Sequence, residues 1–141
     1  MVSICIIAKN EEENIERCLS SIGPYDFEIV VVDTGSTDRT KEIALQYTHC
    51  VFDYEWKDDF SDARNYAIEQ ATRDYIFMLD CDEYITSLDY ENVIDLLKTN
   101  SKDVGRISRI NTFIRNGEQT RIKEPVNRIF NKHFFKYQGR I

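Results

Sequence analysis

Three nearly unbroken apolar runs, at residues 2–8, 27–32 and 75–79, constrain this chain more than any other feature. A run that is apolar at every position must be covered on both faces, which predicts strands at the centre of a sheet sandwiched between helices. Helical patterns fill the gaps. Asn10 is placed to cap a helix with Glu11, Glu12 and Glu13 in its first turn, and Ile15, Cys18, Leu19 and Ile22 form one stripe until Gly23-Pro24 ends it. A second helix is expected from Ser36 or Thr37 to about Gln46, then a short strand at Cys50-Val51-Phe52. A third, opened by Asp59 or Ser61 and closing near Gln70, would turn Phe60, Ala63, Ala67 and Ala71 inward. Strands alternating with helices predict an α/β fold with a mostly parallel sheet, in which ligands bind beyond the carboxyl ends of the strands.

After Asp80 the pattern changes to a helix near 88–97, a strand near 104–114, a hairpin signal at Asn116-Gly117, and strands near 120–123 and 128–130. These read as antiparallel additions. At 141 residues the chain is expected to form one domain. No stretch approaches the roughly 20 apolar residues of a membrane span, and no basic leader precedes the first run. The expectation is a protein of the cytoplasm or of the inner face of the membrane. The formal net charge of −7 argues against a nucleic-acid partner, which needs a basic face. The bases gather in residues 106–141, Arg140 among them, and the acids in the first hundred. Cys5, Cys18, Cys50 and Cys81 show no C-x-x-C spacing and are expected as reduced, mostly buried thiols.

Asp80-Cys81-Asp82 follows the third apolar run. Residues two apart in an extended chain point the same way, so Asp80 and Asp82 can converge on one hard cation; an acidic surface turn is the plain alternative. The second run ends in Asp33-Thr34-Gly35-Ser36-Thr37, where Asp33 can accept from a uracil N3–H or a ribose hydroxyl, although the same residues serve any strand-to-helix turn. The first ends in Ala8-Lys9-Asn10-Glu11, beside Asp33 if the first two strands are neighbours. These residues would then line a base pocket; otherwise Asn10 is a cap and Lys9 a solvated lysine. Arg64 falls early in its helix, where a cation faces the positive end of the macrodipole. That placement calls for an anionic partner, either a diphosphate or the carboxylate of Asp80 or Asp33. Trp56 is read as a core aromatic in preference to a lid.

Four segments together resemble a bacterial family 2 glycosyltransferase: residues 3–12 (SICIIAKNEE), residues 30–38 (VVVDTGSTD), Trp56 with Asp59-Phe60-Ser61 and Ala63-Arg64-Asn65, and Asp80-Cys81-Asp82-Glu83. They fall in the family's order and spacing over residues 3–83. The resemblance implies the three-layer, Rossmann-like GT-A fold, with a mostly parallel sheet and antiparallel additions after the D-x-D. It also implies a nucleotide-diphospho-sugar donor, a UDP-sugar in the first instance, a divalent ion (Mg or Mn), and inversion at the anomeric carbon. The transferred group would be a hexose or N-acetylhexosamine, and the acceptor a hydroxyl of a glycan, lipid or protein. By position, Ala8, Lys9, Asn10, Glu11 and Asp33 would hold the nucleoside and Arg64 the base or phosphate. Asp80 and Cys81 would lie along the donor, Asp80 reaching ribose or metal, and Asp82 would bind the metal. Residues 1–83 would form the donor part and residues 84–141 the start of the acceptor part. Glu83 and Glu124, the latter expected in a loop, are the candidates for the general base. Residues 124–130 and 137–141 resemble a stretch that in the family runs on into a His-Glu pair, so the catalytic domain is expected to continue past Ile141.

A module that binds the nucleotide sugar without transferring it is the main alternative. A haloacid-dehalogenase phosphatase carries its D-x-D on the first strand with Thr or Val two residues after the second Asp, where this chain has Tyr84. A nucleotidyltransferase needs glycines after the first strand, and Lys9-Asn10-Glu11-Glu12 has none. A receiver domain needs an acid pair there.

Overall fold

In the computed structural model, which describes residues 1–139, the three apolar runs lie side by side. β1 (Val2–Ala8) pairs in parallel with β2 (Phe27–Asp33) on one side and β4 (Tyr75–Met78) on the other. β3 (Val51–Asp53) extends the parallel set beyond β2. β6 (Glu118–Asn131) runs antiparallel to both β4 and β5 (Gly105–Arg115), giving the order β3-β2-β1-β4-β6-β5. The predicted α/β sheet with antiparallel additions is therefore present.

The apolar runs are continuous because each feeds two cores. Ile4 and Ile6 pack with Leu19 and Ile22 of α1 (Ile15–Ile22), Ile43 of α2 (Thr40–Leu45) and Leu97 of α4 (Tyr90–Thr99). Cys5, Val30 and Val32 face the other way, onto Ala67, Ile68 and Ala71 at α3 (Phe60–Gln70). The result is three layers.

Several local expectations are corrected. Asn10 does not cap α1, which begins at Ile15; it adopts φ 52° and its side chain serves the neighbouring loop instead. α2 begins at Thr40, because Asp38 accepts the Thr40 amide at 2.9 Å and stops the helix from starting earlier. Asp59 caps α3 as expected, accepting from the amides of Ser61 and Asp62. Phe60, in the first turn of that helix, is 42% exposed and packs on Trp56 instead of the sheet. The two short strands expected near 120–123 and 128–130 are parts of the single strand β6, which passes through Pro125. Pro125 pairs with Ser108, and β4 meets β6 only from Ile129 on, so β6 has an open side there that tolerates a residue without N–H. Glu124 consequently lies on a strand and not in a loop. Among the described residues no helix is long and apolar enough to cross a membrane. Arg140 and Ile141, part of the basic tail and of the closing resemblance, lie outside the described residues.

Candidate active site

From β1 the chain steps outward to β2 and β3, then crosses back to β4 on the other side of β1. The loops after β1 and β4 therefore diverge at their carboxyl ends, which is where open α/β sheets bind ligands. A cleft of about 420 Å³ opens there, lined by Lys9 and Glu11 after β1, Thr34 after β2, Trp56, Phe60 and Arg64 around the start of α3, and Asp80, Cys81 and Asp82 after β4. Ala8 is buried beneath it, and Asn10 lies on the exposed outer side of the first loop. The first two loops are tied together: Thr34 N–H donates to Ala8 O at 3.0 Å, Asn10 N–H to Ser36 Oγ at 2.9 Å, and Glu11 N–H to Thr40 Oγ1 at 2.7 Å. Gly35, at φ 109°, supplies the left-handed step that lets the second loop turn against the first.

Asp33, at the end of β2, is 5% exposed. Its Oδ2 accepts the Ser36 amide at 3.1 Å, but its Oδ1 is buried and has no partner among the described residues. An acceptor left unpaired inside a protein is costly, and is found where a ligand or water supplies the donor.

Arg64 pairs with neither Asp80 nor Asp33 among the described residues. Its guanidinium sits 5.6 Å from the Phe60 ring centre and 5.2 Å from that of Tyr137. Tyr137 is held in place by Asn65, whose amide side chain both donates to and accepts from its backbone, at 2.8 and 2.9 Å. Trp56 meets Phe60 edge-on at 4.7 Å and faces the cleft, half-buried, so the core reading is corrected. An arginine flanked by rings and free of carboxylates keeps its charge available for a phosphate.

Asp80, Cys81 and Asp82 form a turn after β4, closed by the Glu83 amide donating to Asp80 O at 2.9 Å, so the geometry is not that of an extended strand. Both aspartates still reach solvent, while Cys81 is buried and its thiol is pushed well above the ordinary range by that burial. Asp80 and Asp82 also line a second cleft, of about 780 Å³, between residues 83–92 and β5. With Leu79 they are the wall the two clefts share. Among the described residues no three or more His, Cys, Asp or Glu side chains converge as a metal cage. Two exposed carboxylates suit an ion such as Mg²⁺, which keeps waters and takes further oxygens from phosphates.

The two glutamates expected near the acceptor are both paired. Glu83 accepts from Arg128 at 3.0 and 3.2 Å and from the Asp80 amide at 3.0 Å. Glu124 accepts from Arg109 and from Asn111, and hydrogen bonding to Arg109 holds its carboxyl below the usual range. Arg128, 12% exposed at its side chain, was given no site role by the sequence. Its partners lie about 50 residues upstream, and no spacing signal links them.

Comparison with known proteins gives this geometry its context. The family model described as Glycosyl transferase family 2 matches residues 3–141. A TPR repeat-containing protein of Synechococcus elongatus is 48% identical over 82 residues, covering 58% of this chain and 20% of the relative. The SPbeta prophage-derived glycosyltransferase SunS of Bacillus subtilis is 34% identical over 110 residues, covering 77% of this chain and 24% of SunS. The chain thus spans about a quarter or less of these two relatives. Among solved structures, S. aureus TarS 1-349 in complex with UDP-GlcNAc superposes with a TM-score of 0.62 at 26% identity, over 73% of this chain and 32% of TarS. The mannosyltransferase PcManGT of Pyrobaculum calidifontis, in complex with GDP-Man and Mn²⁺, gives 0.60 at 28% identity, over 76% of this chain and 34% of that one.

Proposed function

The chain belongs to glycosyl transferase family 2 and has the GT-A fold, and on that premise we propose that its first cleft binds a nucleotide-diphospho-sugar and its second admits the acceptor. The observation that carries this reading is the shared wall: Asp80 and Asp82 face both clefts, so a leaving group held by them stands where an acceptor can approach. Among the described residues Asp33 Oδ1 is the one buried carboxylate oxygen without a donor, and a uracil N3–H or a ribose hydroxyl would satisfy it. TarS bound to UDP-GlcNAc supports uridine as the first nucleotide to try.

In the reaction proposed, an acceptor hydroxyl attacks the anomeric carbon and gives up its proton to solvent or to a carboxylate freed for it, the bond to the diphosphate breaks, and the configuration inverts. Arg64 binds the diphosphate's negative charge, and its flanking rings with Trp56 shield that wall from water. A divalent ion on Asp80 and Asp82 would supply Lewis-acid stabilisation of the departing oxygen, as Mn²⁺ beside GDP-Man in PcManGT suggests. Glu83 and Glu124 would each have to leave an arginine before taking a proton. We therefore assign Glu83 to shaping the turn. The same pairing favours a second reading, in which the chain binds the donor without transferring the sugar.

Calorimetric titration with UDP, with and without Mn²⁺, tests the donor site. Mn²⁺ should tighten UDP binding at least about tenfold in the native chain, and Asp82→Ala should abolish the gain. No UDP binding in the presence of Mn²⁺, or an unchanged gain in Asp82→Ala, would refute the donor reading. Release of UDP from a panel of UDP-sugars offered with candidate acceptors then separates transfer from binding alone.

A further inference from the structure

β6 is not a regular strand. Gly105 pairs with Ile129 and Arg106 with Asn127, so Arg128 has no partner on β5 and is the extra residue of a β-bulge. Bulges bend a strand locally and re-aim one side chain, and they gather beside active sites. Here the bulge delivers a guanidinium to the turn after β4. Because β6 runs antiparallel to β4 with Phe77 opposite Ile129, the residue before Ile129 arrives beside Met78, the last residue of β4. Arg128 Nη1 donates to Met78 O at 3.1 Å and to Glu83 Oε1 at 3.0 Å, while Nη2 donates to Glu83 Oε2 at 3.2 Å and reaches Asp80 Oδ2 at 3.5 Å.

One guanidinium therefore touches three points of a single turn: the carbonyl where β4 ends, the carboxylate that closes the turn, and one carboxylate of the wall between the clefts. Glu83 completes the ring by accepting the Asp80 amide. Asp82 belongs to the same turn but takes no contact from Arg128, so Asp80 is steered directly and Asp82 only through the backbone. Gly105 seats the bulge: a Cβ there would stand 3.1 Å from Ile129 Cβ.

We propose that Arg128 is a positioning residue of the donor site, which through the bulge in β6 fixes the Asp80–Glu83 turn in the conformation that receives a divalent ion with a nucleoside diphosphate. The bidentate fork is the working part, since a lysine carries the charge but cannot span both oxygens of Glu83 while reaching Met78 O. The inference rests on the donor reading. It places the determinant of the turn's shape on the strand that borders the acceptor side, so the two clefts share a support as well as a wall.

The experiment is titration of the full chain with Mn²⁺ and UDP in the native protein, Arg128→Lys, Arg128→Ala and Gly105→Ala, with Mn²⁺ binding followed independently by electron paramagnetic resonance of the free ion. Arg128→Lys, which keeps a cation at the site, should bind UDP without metal as the native chain does. It should lose the Mn²⁺-dependent gain by about 10- to 100-fold, as expected when an outer partner of a metal ligand is removed. Gly105→Ala should reproduce part of that loss without touching the site. Native-like Mn²⁺ dependence in Arg128→Lys would overturn the positioning role. A native chain that binds no UDP with Mn²⁺ would instead remove the donor reading beneath it. Arg128→Ala serves as the full deletion, and its gain in Mn²⁺-dependent UDP binding should be no larger than that of Arg128→Lys; a larger one would also overturn the proposal.

Discussion

Asn10 accepts the Thr37 amide hydrogen at 2.8 Å through its side-chain oxygen, and so ties the loop after β1 to the loop after β2 beside the first cleft. Its own backbone is left-handed, at φ 52°, a conformation asparagine tolerates and most residues do not. Asn10→Gly should keep the backbone and lose the tie, lowering stability by about 1 kcal/mol. Asn10→Ala adds left-handed strain and should lose roughly 1 kcal/mol more. Denaturant unfolding of the two variants checks the order, and equal stability of Asn10→Gly and the native chain would show that the tie contributes nothing.

Asp33→Asn separates binding from folding. The amide can still accept from Ser36 through its oxygen, and it removes a carboxylate whose Oδ1 is buried and unpaired, so the melting temperature should hold or rise. UDP affinity should fall about tenfold or more, because with the amide oxygen on Ser36 the amide nitrogen takes the place of Oδ1 and offers a donor where the nucleotide needs an acceptor. Unchanged UDP affinity would remove Asp33 from the nucleotide site.

Glu28 joins three elements, accepting from Ser3 of β1 and from the amide and hydroxyl of Thr72. Burial raises its proton affinity, but the bonds from Thr72 and Ser3 outweigh that, and the carboxyl sits below its usual range. A lowered folded value means that the stabilisation is complete above the unfolded value of about 4.3 and fades as pH falls through the folded one. Glu28→Gln should therefore be less stable than the native chain at pH 7, with the gap closing below about pH 4. A gap of the same size at pH 3 would rule out the charged form as its source.

The thiols give a labelling pattern. Cys5 and Cys18 are buried and pushed up to about 12, Cys81 is raised further, all three chiefly by burial, and Cys50 alone is half-exposed. At pH 8 the thiolate fraction of Cys18 is on the order of one in ten thousand. Iodoacetamide followed by mass spectrometry should modify Cys50 first. Alkylation of Cys81 at the same rate would mean that the turn after β4 opens in solution.

What could be read from the sequence followed from which forces act locally. β1, β2 and β4 were legible because burial on both faces leaves a run with little polar interruption, Ser3 and Glu28 being the exceptions, and the start of α3 because Asp59 caps it in place. The gathering of Lys9, Glu11, Arg64, Asp80 and Asp82 around one cleft followed from their common position beyond the carboxyl strand ends. Asn10 misled because a residue suited to capping is equally suited to a left-handed turn. Trp56 misled because a large aromatic is usually core. Arg128 stayed hidden because its role depends on pairing between β6 and β4 and on a register shift, neither of which leaves a local pattern.

The register shift also governs how this strand can vary. Val126, opposite Ile107, and Ile129, opposite Gly105, face the same side of the sheet although they are three residues apart, an odd spacing that an uninterrupted strand forbids. β6 is in effect two strands of opposite phase spliced at one residue. Its length between Pro125 and Ile129 is thus more tightly held than its composition. A substitution there leaves the splice intact, whereas deleting one residue would restore a single phase in which Val126 and Ile129 still share a face, but the bulge that aims position 128 at the turn after β4 would be gone.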